Sequence, residues 1–208
     1  MRLTRRGLIV AAPALILSHQ AWATIAPTPR ASEGPFYPAE IPTDHDNDLV
    51  RIDTMVREAG GEILDLRGVV TDSDAKPLGD AVVEIWQCDA NGVYRHPGDP
   101  RPQRRDTAFQ GFGRTRTTSA GEFRFRTIVP VPYPGRTPHI HAKIIAAGRP
   151  DLTTQFYLAG HHSNDRDFLF NRMNSADKER VSMTIEPHSG NGRAAWQTDI
   201  VAVLPRGA

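Results

Sequence analysis

The sequence predicts an all-β protein: an antiparallel β-sandwich core, preceded by an extended N-terminal arm and carrying few short helices. Three observations predict it. Seven short runs rich in β-branched and aromatic residues (63–71, 81–87, 122–128, 139–147, 153–158, 181–186 and 196–204) are bounded by turn residues. Side chains alternate where the pattern is clearest, with Phe123 and Phe125 facing one way and Glu122, Arg124 and Arg126 the other. Only one stretch, 165–178, reads as helix, and it is short. Seven strands with so little helix fit a sandwich better than any layered α/β arrangement.

Residues 1–23 read as an address rather than as part of the fold. Arg2, Arg5 and Arg6 open the chain, an apolar run follows through Leu17, and Ala21-Trp22-Ala23 supplies an A-x-A cleavage signal. The apolar run is too short to span a bilayer. The Arg5-Arg6 pair points to the twin-arginine route, so the mature chain is expected to begin near Thr24 in the bacterial periplasm. An ordinary secretory peptide with a chance arginine pair is the alternative. Residues 24–62 are rich in proline and acidic side chains, including Glu33-Gly34-Pro35-Phe36-Tyr37-Pro38 and Asp44-His45-Asp46-Asn47-Asp48. Such a stretch reads as an arm laid over the 63–208 domain. Asp72-Ser73-Asp74-Ala75-Lys76-Pro77-Leu78-Gly79 and Ser119-Ala120-Gly121 are turn chemistry between strands.

Charge excludes one class of partner. The 25 Lys and Arg nearly balance the 24 Asp and Glu, and no basic stripe appears, so a nucleic-acid partner is not expected. Arg101, Arg104 and Arg105 cluster in what reads as a solvated loop, with a field that could draw anionic aromatic acids as the sharper alternative. Cys88 is the only cysteine, which rules out an internal disulfide and a zinc ribbon and leaves a small buried thiol.

The chemistry concentrates around His139-Ile140-His141. In a strand these imidazoles project from one face with Cα atoms about 6.5–7 Å apart, close enough to converge on one metal. Alone the pattern is weak, because such pairs are more often ordinary half-exposed residues. Upstream, Val129-Pro130-Val131-Pro132-Tyr133-Pro134-Gly135-Arg136-Thr137-Pro138 is stiffened by proline and sets Tyr133 and Arg136 beside the histidines. Trp86-Gln87-Cys88-Asp89-Ala90-Asn91-Gly92-Val93-Tyr94 ends a strand in a turn that presents a second tyrosine.

With these residues in place, the sequence resembles the intradiol ring-cleavage dioxygenases, the family of the protocatechuate and catechol dioxygenases. Matching segments are Glu33 to Pro38, Asp46-Asn47-Asp48-Leu49, Gly68 to Asp72, Val83 to Tyr94, Phe109 to Arg114, Gly121 to Ile128, Tyr133 to His141 and Leu152 to Tyr157, in order from about residue 33 to 158. The last 50 residues or so match only loosely. The resemblance implies a ferric ion, Fe(III), held by Tyr94, Tyr133, His139 and His141. It implies that Arg136 lies beside the substrate and stabilises carbanion-like character on the ring, with Gln155 in support. It further implies that a catechol binds as a dianion, that Tyr133 leaves the metal and takes a proton, and that O2 attack opens the bond between the two hydroxylated carbons. The product would be a muconate-type diacid.

Elementary chemistry agrees with that ligand set. Phenolates are hard anionic donors that favour a trivalent ion. A bound cation removes a phenol proton that otherwise leaves only near pH 10. One departure stands out: the loop from Tyr133 to His139 is shorter than in well-known members, which implies a more open site and leaves the preferred ring undefined. His96 reads as a surface or supporting residue, and His45, His161, His162 and His188 as solvated. Two rival readings stay open, an exported non-catalytic sandwich that binds carbohydrate or a partner protein, and divalent zinc or copper on His139 and His141. The oligomeric state is not fixed by the sequence, although members of the family commonly associate.

Overall fold

The computed structural model of the protein describes residues 24–52, 54–190 and 193–207, so the export signal read in 1–23 lies outside the described residues. Nine strands form two sheets: β1 (Ile63–Asp72), β2 (Val82–Trp86), β3 (Phe112–Arg116), β4 (Glu122–Ile128), β5 (His139–Ile145), β6 (Leu152–Leu158), β7 (Ser182–Met183), β8 (Glu186–Gly190) and β9 (Arg193–Leu204). One sheet has the order β4-β1-β9-β8 and the other β3-β2-β5-β6-β7. The sandwich is therefore present, but each sheet is mixed. β1 pairs with β9 in parallel, and β6 with β7 in parallel, while the remaining neighbours are antiparallel.

The run expected at 181–186 divides. Val181 closes helix α2 (Ser175–Val181), and two short strands follow, the second carrying Pro187. The helix expected at 165–178 likewise divides into a 3-10 turn at Asn164–Arg166, α1 (Phe168–Asn171) and α2. Asp167 and Asn174 cap the two helices by accepting from main-chain N–H groups of the first turn, which fixes where each one starts. No helix among the described residues is long and apolar enough to cross a membrane.

Strand alternation sorts side chains between core and site. Leu64, Leu66, Phe125, Ile200 and Leu204 from one sheet meet Val83, Ile85, Ile140, Ile144 and Phe156 from the other in one buried cluster. Each large side chain so buried contributes roughly 1.5–3 kcal/mol. The alternate positions of β2, β5 and β6, namely Trp86, His139, His141, Gln155 and Tyr157, therefore face outward from the five-stranded sheet.

The arm is tied to both sheets. Thr28 donates its N–H to Val203 of β9 at 2.9 Å, and Ala31 donates to Thr153 of β6 at 2.8 Å. It also enters the core, because Leu49 and Val50 are fully buried in the main cluster. Gly113 explains the close approach: a Cβ there would stand 2.5 Å from Leu49 Cδ1 and 2.7 Å from the Asp46 carbonyl.

Candidate functional site

Register brings the site residues into two rows. Trp86 lies opposite His141, and His141 opposite Gln155, while His139 lies opposite Tyr157. Cross-strand neighbours on one face stand about 4.5–5.5 Å apart at Cβ, so these five side chains form one outward-facing patch. The Trp86 and His141 rings stack at 4.8 Å.

Tyr94 reaches the patch from the turn after β2. Asp89 accepts from the N–H groups of Asn91 and Val93, and Asp99 accepts from the Tyr94 N–H at 2.9 Å. Arg101 donates to the Gly92 carbonyl at 2.6 Å and also pairs with Asp99. One member of the arginine cluster is thus built into the turn, leaving Arg104 and Arg105 exposed. Gly92, at φ 70°, lets the turn pass the Pro132 carbonyl, which a Cβ would meet at 2.9 Å.

Tyr133 and Arg136 are the two ends of a single turn, closed by the Arg136 N–H donating to the Tyr133 carbonyl at 2.9 Å. Pro134 and then Gly135 at φ 80° occupy its centre, the residues a type II turn asks for. A short loop is therefore a well-determined one.

The structure brings Tyr94, Tyr133, His139 and His141 together. Ring centroids are 5.3 Å apart for the tyrosines, 4.8 Å for the histidines, 5.4 Å from Tyr133 to His139 and 6.3 Å from Tyr94 to His141. His139 Nδ1 is 2.7 Å from the Thr137 carbonyl, which can only accept, so that nitrogen carries the proton. Its Nε2 lone pair consequently points into the site, 3.2 Å from His141 Nε2. The Tyr94 hydroxyl is buried and has no hydrogen-bond partner in the structure.

Electrostatics follow from burial. Burial, and then the Arg136 charge, push the His139 imidazole down to about 4. Burial also takes His141 well below its usual range, with the neighbouring His139 and Arg136 adding to it. Burial holds the Tyr94 hydroxyl well above its ordinary value, and it raises Tyr133 despite the opposing pull of Arg136. Without a cation the site is thus two neutral imidazoles and two protonated phenols. Neutral imidazole is the ligating form, and phenols so disfavoured as anions need a cation beside them to ionise. Among the described residues no three His, Cys, Asp or Glu side chains are arranged so that they could hold a metal ion, so a donor set here depends on the tyrosines.

Arg136 borders this group. It donates Nη2–H to Gln155 Oε1 at 2.6 Å and Nε–H to Asp167 at 2.8 Å, and its Nη1 lies 3.4 Å from the Tyr133 hydroxyl. Sequence reasoning passed over three neighbours. Tyr157 donates to Gln155 at 2.8 Å, Asp167 holds Arg136, and Phe36 stacks on Tyr94 at 4.5 Å. Tyr157 carries a signal in its two-residue spacing from Gln155, whereas the place of Asp167 before Phe168-Leu169-Phe170 signals a helix cap and not its pairing with Arg136. His96 stands edge-on to Phe36 at 5.8 Å, half-buried at the border of the site.

Comparison with known proteins gives the site its relatives. The family model described as dioxygenase matches residues 32–185. The chain belongs to the intradiol dioxygenase family. The chain is 34% identical over 161 residues to catechol 1,2-dioxygenase 1 of Acinetobacter lwoffii, covering 69% of the chain and 50% of the relative. It is 33% identical over 162 residues to the protocatechuate 3,4-dioxygenase beta chain of Burkholderia cepacia, covering 73% and 68%. The chain spans about half the length of the catechol 1,2-dioxygenases it matches. Among solved structures, it superposes on the dioxygenase domain of a dioxygenase carbohydrate-binding protein fusion from Streptomyces sp. SirexAA-E, with TM-score 0.66 and 33% identity, over 86% of the chain and 99% of that domain. Catechol 1,2-dioxygenase from Acinetobacter sp. ADP1 matches with TM-score 0.67 and 26% identity, over 86% of the chain and 63% of that structure.

Proposed function

We propose that this protein uses O2 to cleave the bond between the two hydroxylated carbons of a catechol-type ring, yielding a muconate-type diacid, at a ferric ion held by Tyr94, Tyr133, His139 and His141. The observation that carries the reading is the convergence of those four rings, with the His139 Nε2 lone pair facing His141 Nε2 across the site and the buried Tyr94 hydroxyl without a hydrogen-bond partner. Two phenolates and two neutral imidazoles suit a hard trivalent ion better than zinc or copper. When bound, ferric iron supplies Lewis acidity toward the catecholate oxygens and the positive charge that keeps the phenolates ionised.

The chain's own residues divide the remaining work. Tyr94 is 3% exposed and stacked under Phe36, which makes it the fixed donor. Tyr133 is half-buried at the end of a turn and lies next to Arg136, so it is the tyrosine able to move and to hold a substrate proton at Oη. Arg136 places a permanent cation where negative charge develops on the ring, and Gln155 fixes the far side of its guanidinium. The relatives named for catechol, protocatechuate and hydroxyquinol support a small aromatic diol as substrate. Arg5-Arg6 and Ala21-Trp22-Ala23 support export, so the site is proposed to work in the bacterial periplasm.

A visible spectrum with metal analysis tests the reading. Purified protein should contain one iron per chain and be reddish from tyrosinate-to-ferric charge transfer, and catechol added without oxygen should shift that band. A colourless protein holding zinc, or a coloured one whose spectrum ignores catechol, would overturn it.

A further inference from the structure

Among the described residues Arg136 is the one Lys or Arg acting on His139 and His141, and its orientation is imposed from outside the site. Its Nε–H donates to Asp167 Oδ2 at 2.8 Å, and the same oxygen accepts the Thr137 N–H at 2.9 Å. The other oxygen, Oδ1, accepts from the N–H groups of Leu169 and Phe170 at the start of α1, both at 3.0 Å. Asp167 has no exposed side-chain surface and Arg136 only 10%, so water does not compete for the pair. The carboxylate is itself pinned from behind. Thr137 donates to Asn164 Oδ1 at 2.7 Å, Asn164 donates to the Leu158 carbonyl, and Asn171 donates to the carbonyls of Asn164 and Asp167. Four of the five N–H donors of a guanidinium lie on Nη1 and Nη2, and here those nitrogens face Tyr133, Gln155 and Tyr157. A second anchor at Nε fixes the plane of the fork.

We propose that Asp167 is a positioning residue for Arg136: it holds the guanidinium in the plane that meets Tyr133 and Gln155, and so ties the 159–171 segment to the reacting end of the site. The inference rests on the ring-cleavage reading for its catalytic consequence, and on the ion-pair geometry alone for its structural part. Asp167 makes no hydrogen bond to any of the four proposed ligands; its side chain is taken up by Arg136, Thr137, Leu169 and Phe170. Its effect is exerted through Arg136.

Asp167→Asn tests this, because asparagine can still cap α1 while losing the charge that pairs with Arg136. With catechol as substrate, kcat should fall on the order of 10²-fold, as expected when a reacting group is misplaced by about 1 Å, while KM stays within about threefold. In an Arg136→Lys background, which cannot form the same fork, the Asp167→Asn change should cost little more. Independently of turnover, the Arg136 Nε–H followed by nitrogen-15 NMR should exchange slowly in the wild type and at least about tenfold faster in Asp167→Asn. If Asp167→Asn folds poorly, Asp167→Glu keeps the charge but displaces it by one methylene, and the same two readouts should move. An undiminished loss of kcat in the Arg136→Lys background, or an Nε–H whose exchange ignores the substitution, would reduce Asp167 to a helix cap and overturn the proposal. A wild type that turns over no catechol would refute the functional reading alone, and the exchange measurement would still decide the role of Asp167.

Discussion

Two tyrosines with the same side chain have different surroundings, and the difference sets their roles. Tyr94 is enclosed by Phe36, Tyr133 and His141, whereas Tyr133 sits on a turn with one side toward solvent. Removing the hydroxyl of Tyr94 should therefore weaken the metal site itself: Tyr94→Phe is expected to lose most of its iron on dialysis against a chelator that wild type withstands. Tyr133→Phe should keep the iron but lose about 10²–10⁴-fold in kcat, the usual range for a missing proton acceptor. Metal content and steady-state rates on the two variants check the split, and equal iron loss from both would contradict it. At this scale the sequence itself offered an H-x-H strand and two tyrosines in nearby loops, and the resemblance to the intradiol family implied that the four act together. Asp167 was not legible there. It joins Arg136 across 31 residues, through a cap whose partner cannot be read from local pattern.

The arm and the strands tell the same story at the next scale. Tyr37 donates to Glu84 Oε2 at 2.8 Å, and Arg114 clamps Oε1 of the same carboxylate, which is 1% exposed. The Tyr37 ring also meets Trp86 edge-on at 4.9 Å, and Trp86 in turn stacks on His141. Tyr37→Phe leaves that carboxylate one donor short and should destabilise the protein by about 1.5–3 kcal/mol, the value of a hydrogen bond to a charged group. Denaturant titration reads it, and a shift below about 0.5 kcal/mol would show that water replaces the phenol. Phe125→Ala in β4 should cost more, about 3–5 kcal/mol, because the ring is fully buried between the sheets. β4 was readable from the sequence because Phe123 and Phe125 alternate with charges. β3 was not, since Gly113 interrupts its pattern and two arginines follow, and only the arm lying against it at Leu49 and Asp46 explains the glycine. The parallel pairing of β1 with β9 was equally hidden, because register across 132 residues leaves no local trace.

For the molecule as a whole, acid is one lever on stability and the proposed ferric ion a second. Burial alone would raise the carboxyls of Asp72, Asp99, Asp106 and Asp167, but main-chain N–H donors and neighbouring arginines more than offset it and hold all four low. A carboxyl whose folded pKa is below its unfolded value, about 3.9, adds stability above that value and loses it as pH falls toward the folded one. Urea midpoints should therefore drop steeply below about pH 4, and Asp167→Asn should flatten that drop. A midpoint unchanged between pH 5 and pH 3 would contradict the assignment. Ferric ion at a hundredfold excess over its Kd should add about 2.7 kcal/mol, raising Tm by roughly 5–10 °C, and chelation should reverse it.

The position of β9 carries a consequence for biogenesis. Among the described residues it is the last strand in chain order, yet it lies in the interior of its sheet, between β1 and β8. While a nascent chain is still emerging from the ribosome, β1 has one open edge and β8 has no neighbour. Each is a bare row of amide groups able to recruit the wrong strand. Closure must wait until residue 204 has left the ribosome, and chains cut short before β9 should aggregate instead of folding into a smaller stable domain.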